Sequence, residues 1–234
     1  MAVESDLAAQ AWTIDGVFMG AVAERWAGKP PSAIGKQPFE GAAEASPTGL
    51  IGDAQADLSV HGGLEKAIHH YPAEHYALWR GELGREDLKP GGFGENISTV
   101  GLDEEAVSIG DVFRLGSALV QVSQGRQPCW KLAAHTEEPR MAYLFQTTGR
   151  TGWYYRVLEP GRLAAGEAMT LVERPTPEWT VRRVTAARLR RDADAPTLRA
   201  LAALETLNEG WRAAFAKMAA GDRDEATDRR LKGL

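Results

Sequence analysis

One cysteine, Cys129, occurs in 234 residues. An internal disulfide is therefore excluded, and nothing points to an oxidising compartment. An iron–sulfur cluster, which typically takes four thiolates, is excluded as well. Long apolar runs are missing too. No stretch approaches the ~18 residues of a spanning helix, and "MAVESDLAAQAWTIDG" lacks the basic start and apolar run of a secretory signal. The expectation is no membrane insertion and a cytoplasmic location. A net charge of -5 gives no global attraction to nucleic acid or anionic membrane. The basic run "RRVTAARLRR" is followed by Asp192, Asp194 and Glu205, so it reads as a solvated helix face. No nucleic-acid module signature is present, and direct nucleic-acid binding is not expected. The phosphate-loop spacing G-x-x-x-x-G-K-[ST] is absent, as is G-x-G-x-x-G between a strand and a helix. Neither H-x-x-x-H nor C-x-x-C occurs, so a zinc site is poorly supported. If the chain is a redox enzyme, its electrons come from elsewhere.

What is there suffices for a proper core: 44% hydrophobic residues and seven tryptophans. The first two thirds are rich in strand signals. In "AVSIGDVFRLGSALVQVSQ" (106–124), Val112 and Phe113 precede a Gly116-Ser117 turn, and Leu119, Val120 and Val122 follow it. "WYYRVLEPGRLAAGEAMTLVER" repeats the pattern, with an expected turn at Pro160-Gly161. Strand–turn–strand units in succession suggest a barrel or sandwich. Helices interrupt them. "YPAEHYALWRGEL" places Tyr76, Trp79 and Leu83 on one face, with Pro72 suited to a first helical position. "PRMAYLFQTTG" ends near Gly149. Pro175 and Pro177 mark a change of composition. Residues 1–174 read as a mainly β domain and 175–234 as a small three-helix domain with its own core, the helices being "WTVRRVTAARLRR", "APTLRALAALETL" and "NEGWRAAFAKMAAG".

Four stretches look like site rather than scaffold: "GKPPSAIGK" (28–36), "GLIGDAQAD" running into "VHGGLEKAIHHYP" (49–72), "PGGFGENIS" (90–98), and the cysteine loop "VSQGRQPCWKL" (122–132). Glycine at this density lets backbone N–H groups approach an anion. If Pro128 opens a helix, Cys129 lies in its first turn, where the helix dipole and Arg126 favour a thiolate. The alternative is a small buried hydrophobe, the commoner fate of a lone cysteine. Four of five histidines, His61, His69, His70 and His75, fall within fifteen residues. His61, before Gly62-Gly63, is the best placed to contact a ligand. His69 and His70 alternate faces, so at most one faces a shared site. Cysteine–histidine hydrolysis would need an upstream histidine as base, and the local protease signatures are absent.

Taken together, "GKPPSAIGK", "VHGG", "FGEN", "VSQGRQPC" and "TGWYYRVLEPG" resemble, in order and spacing, the YiiM-type subgroup of the MOSC family. The resemblance covers about residues 12–174, and the helical tail looks like the three-helix domain that follows in this subgroup. It implies a β-barrel-like MOSC domain with inserted helices that binds the molybdenum cofactor, molybdopterin. It also implies a reductase of N-hydroxylated compounds such as 6-N-hydroxylaminopurine, restoring the amino group and so detoxifying base analogues. The family's proposed molybdenum ligand falls on Cys129. Lys36, His61, Asn96, Ser123 and Arg126 are the candidate contacts to the pterin and its phosphate, and His61 or a bound water is a candidate proton donor. A soft thiolate suits molybdenum. With no flavin or nicotinamide fingerprint, a separate electron-donating reductase is the expected partner, and the tail offers either its docking surface or a homodimer interface. A molybdopterin or sulfur carrier without turnover would use the same anion-binding residues.

Overall fold

The computed structural model describes residues 10–56, 62–222 and 227–233. Strands β1 (Ala11–Thr13) and β2 (Gly16–Met19) are separated only by Ile14 and Asp15. Together with β3 (Gln37–Pro38), β6 (Ile68–His70), β7 (Ile97–Ser98), β8 (Val112–Leu115), β9 (Ala118–Gly125), β10 (Trp153–Glu159) and β12 (Ala168–Glu173) they form a nine-stranded sheet in the order β1-β12-β8-β9-β10-β6-β7-β2-β3. β1 pairs with β12 and β2 pairs with β7. The β1–β2 segment thus links the β12 side of the sheet to its β7 side, and the sheet curls into a half-barrel. A small second sheet has the order β11-β4-β5, from β4 (Ala43–Ser46), β5 (Gly49–Leu50) and β11 (Gly161–Leu163).

The Gly116-Ser117 hairpin forms as expected, with Leu115 opposite Ala118 and Gly116 at φ 55°. The second strand–turn–strand unit is different. After β10 the chain leaves the barrel as β11, which pairs with β4 in the small sheet. It returns as β12 between β8 and β1, while β10 lies between β9 and β6. The Pro160-Gly161 turn is therefore an exit from the barrel and not a hairpin. Gly161 is needed there, because a Cβ would lie 2.5 Å from the Ala118 nitrogen.

Helices α1 (Glu74–Leu83), α2 (Trp130–Thr136) and α3 (Met141–Thr148) cover one side of the barrel. They bury an aromatic cluster in which Tyr71 and Trp79 both stack on Phe145 and Tyr76 stacks on Phe93. Tyr76 and Trp79 are buried, and Leu83 packs against the cluster, as the spacing of α1 requires. Gly84 and Gly149 close α1 and α3 in left-handed conformation.

Three further helices follow: α4 (Val181–Arg190), α5 (Ala195–Ala203) and α6 (Glu209–Ala219). Side chains of Thr180, Asp194 and Asn208 cap them. Their apolar faces do not make a separate core. Val184, Leu198, Leu201, Trp211 and Phe215 are continuous with Phe113, Val120, Val122 and Tyr155 of the barrel. α4 approaches β9 so closely that a Cβ on Gly125 would lie 2.0 Å from Thr185 Oγ1. A fourth short helix, α7 (Thr227–Lys232), lies beyond the three that the periodicity indicates.

Candidate functional site

The end of β9 leads into the cysteine loop. Arg126 N donates to Gly152 O at 3.1 Å, which ties the loop to the entry of β10. Cys129 has extended backbone (φ -135°, ψ 169°) and is the N-cap of α2, whose first residue is Trp130. The expected first-turn position is thus displaced by one residue. Cys129 is half-buried.

Cys129 opens on a cavity of about 590 Å³ of atom-free space, part of it continuous with solvent. Lys36, Lys66, Arg126 and Lys131 line it, and Asp53 is the one acid among the lining residues. Ala33, Ile34, His69, Asn96 and Tyr154 complete much of the wall. All three other glycine-bearing stretches contribute lining residues, through Lys36, Asp53 and Asn96.

The floor is a closed polar network. The buried Asp53 carboxylate accepts from Lys36 Nζ, from Gly20 N at 2.8 Å and from Asn96 Nδ2 at 2.8 Å. Asn96 Oδ1 in turn accepts from His69 N at 3.0 Å. One amide therefore positions both the Asp53 carboxylate and the backbone of β6. Burial lowers the Lys36 pKa, and Asp53 opposes that shift.

Arg126 is held by the glycine-rich loop. Its Nη1 donates to Phe93 O at 2.6 Å, and its guanidinium lies 5.9 Å from the Phe145 ring centre. That loop is folded around Glu95, which accepts from Tyr76 Oη at 2.6 Å, Gly91 N at 2.6 Å and Phe93 N at 3.1 Å. Burial raises the Glu95 pKa, and these hydrogen bonds oppose the rise. Glu95 builds the loop; Phe93 O and Asn96 serve the site.

His69 is buried in the cavity wall with its ring 4.8 Å from that of Tyr154. Burial, and then the charge of Arg126, hold its pKa well below the ordinary value, so the imidazole is neutral at pH 7. Its Nε2 is buried without a hydrogen-bond partner among the described residues. Burial raises the Tyr154 pKa.

Of the residues singled out from sequence, Lys36, Asn96, Arg126 and Cys129 line one cavity. Ser123 does not line it. Its Oγ donates to Glu65 O at 2.6 Å and to Tyr154 O at 3.1 Å, bracing the segment beside Lys66 and strand β10. His61 lies outside the described residues. His70 points into the barrel, bonded to Tyr155 Oη and Thr99 Oγ1, while His75 pairs with Glu104. Sequence reasoning left His69 as one of two alternating histidines, at most one of them facing a shared site, and did not single out Asp53, Lys66, Lys131 or Tyr154. The structure turns His69 to the cavity and His70 away from it.

Residues 57–170 match the MOSC domain family, and residues 179–221 match the YiiM-like 3-alpha helix domain. Protein YiiM of Escherichia coli is 39% identical over 219 residues, covering 93% of this chain and 97% of that one. The chain belongs to the YiiM-type MOSC family. The crystal structure of Escherichia coli YiiM superposes with TM-score 0.79 at 32% identity, covering 95% of this chain and 98% of that one. A Gibberella moniliformis protein named Reductase is 43% identical over 157 residues, which is 66% of this chain and 28% of that protein. In this member of the family, Lys36 and Asp53 precede the matched MOSC segment, as do strands β1 and β2.

The residues fit an anionic, metal-bearing cofactor. Lys66, Arg126 and Lys131 converge with one thiol, Lys36 being paired with Asp53, and a buried imidazole nitrogen is left without a partner among the described residues. Among those residues no group of three or more His, Cys, Asp or Glu is placed to hold a metal ion. A single thiol suits a metal that arrives with its own ligands.

Proposed function

We propose that this protein is a molybdenum-cofactor-dependent reductase of N-hydroxylated compounds such as 6-N-hydroxylaminopurine. One observation carries the reading: the chain's single thiol opens on the same cavity as Lys66, Arg126 and Lys131. Family membership and the relative named Reductase support it. The chemistry that the cofactor supplies when bound is two-electron cleavage of an N–O bond, which side chains alone do not perform.

The chain's own residues have separate tasks. Cys129 provides the soft ligand. Arg126 and Lys131 are buried, and Lys66 is half-buried; such side chains bind phosphate oxygens strongly where water is scarce. Lys36 is committed to Asp53, so its role is to keep that carboxylate from repelling an anion. Neutral His69 offers a hydrogen bond without adding charge. Release of water requires a proton donor within reach of the substrate oxygen, and His61 is our candidate for that role. Electrons come from a separate reductase.

The test is molybdenum content per chain, on protein purified without air from a cofactor-producing host, wild type beside Cys129→Ala. We expect metal in wild type, lost or labile in the variant. Reduction of 6-N-hydroxylaminopurine by a chemical reductant should follow the metal. Full turnover by Cys129→Ala would overturn the proposal. Metal bound without turnover would instead indicate a carrier.

A further inference from the structure

We propose that Arg230, on α7, is a positioning residue for Cys129, and that α7 works as a strap across the cysteine loop. Arg230 does not line the cavity. Its Nη1 donates to Pro128 O, and its Nη2 donates to Gln146 Oε1 on α3 at 2.7 Å. The guanidinium therefore bridges the loop to a helix of the aromatic cluster.

The consequence for Cys129 follows from covalent geometry. The Pro128 ring fixes its own φ. The peptide unit joining Pro128 to Cys129 is planar, so holding its carbonyl fixes the plane from which Cys129 departs. On the other side, Cys129 O accepts from Leu132 N at 3.0 Å within α2. One flank of the thiol is thus held by its own helix and the other by Arg230.

Independent contacts reach the next residue, Trp130. Gly233, at φ 69°, packs so closely that a Cβ there would lie 2.9 Å from Trp130 Cγ. Gly233 O accepts from Lys29 Nζ at 3.0 Å, and that ammonium stands 5.4 Å over the Trp130 ring. Leu231 packs against the aromatic cluster that contains Leu132. The strap holds the residues immediately before and after Cys129. Its two acceptors, on different elements, suit a forked guanidinium better than a single ammonium.

The inference bears on metal binding only through the proposed function, so its test reads the thiol directly. The chain has one cysteine, and the alkylation rate of the full chain by iodoacetamide reports Cys129 alone. Arg230→Ala should raise that rate roughly tenfold across the thiol titration range, as expected when a charge-assisted hydrogen bond to the loop is lost. Arg230→Lys, which retains a donor for Pro128 O, should recover part of the difference. Gly233→Ala should raise the rate without touching Arg230, and this variant keeps the test usable if Arg230→Ala folds poorly. Rates within about twofold of wild type for both Arg230→Ala and Gly233→Ala would overturn the proposal, whatever the molybdenum content.

Discussion

His70 is fully buried between Tyr155 Oη and Thr99 Oγ1, each 3.0 Å from a ring nitrogen. Among the described residues no carboxylate compensates a charge there, and burial lowers its pKa from 6.5 to about 3. The unfolded chain takes up a proton below pH 6.5 that the folded chain refuses until about pH 3. The His70 contribution to stability is therefore fully present above pH 6.5 and falls as pH falls through this window. The slope is about 1.4 kcal/mol per pH unit, and the total approaches roughly 5 kcal/mol at the acid end. Glu95 and Asp111, whose pKa values burial raises, act in the opposite sense, so the wild-type curve alone does not isolate the effect. The difference from His70→Gln does. That variant should be less stable at neutral pH, because glutamine satisfies the two hydroxyls less well. Its stability should also fall less steeply between about pH 6 and pH 4, by about one proton's worth of slope. Denaturant midpoints at several pH values measure this, and the His70 imidazole should remain neutral by NMR down to about pH 4. Parallel curves for wild type and variant, or an imidazole titrating near its ordinary value, would refute the reasoning.

Two further outcomes test the site's framework. Lys36→Met should cost roughly 3–5 kcal/mol, because it leaves the Asp53 carboxylate buried with only the neutral donors Gly20 N and Asn96 Nδ2. The double variant with Asp53→Asn should recover part of that loss in chemical denaturation, and simple additivity would count against a coupled pair. Gly152→Ala should cost at least about 2 kcal/mol, since φ is 68° there and the new Cβ would lie 2.2 Å from His70 O. Near-wild-type unfolding of that variant would contradict the packing described between β6 and β10.

Local patterns were legible wherever short-range chemistry decides them. The Gly116-Ser117 hairpin, the cap at Gly149 and the buried face of α1 each follow from a few neighbouring residues. The exit of the chain at Gly161 was not legible, because a Pro-Gly pair looks the same whether its strands pair with each other or separate. The site was half legible. Cys129, Lys36, Arg126 and Asn96 come from loops of the glycine-bearing motifs, whereas His69 and Tyr154 lie on strands whose facing depends on their register with each other. Ser123 belonged to the same motif as Cys129, yet its position along β9 directs the hydroxyl to the Glu65 and Tyr154 carbonyls.

By itself, the sequence determined that the chain has one thiol, that the thiol lies between a strand and a short helix beside an arginine, and that the motifs around it are those of the YiiM-type MOSC family. Only the tertiary structure decided that Asp53 neutralises Lys36, that Glu95 shapes the loop gripping Arg126, and that Arg230 reaches the carbonyl before Cys129 across 102 positions of chain. The reason is physical. Turns, caps and periodic faces are set by neighbours a few residues apart, while the partner of a buried charge is chosen by where the curled sheet brings distant segments together.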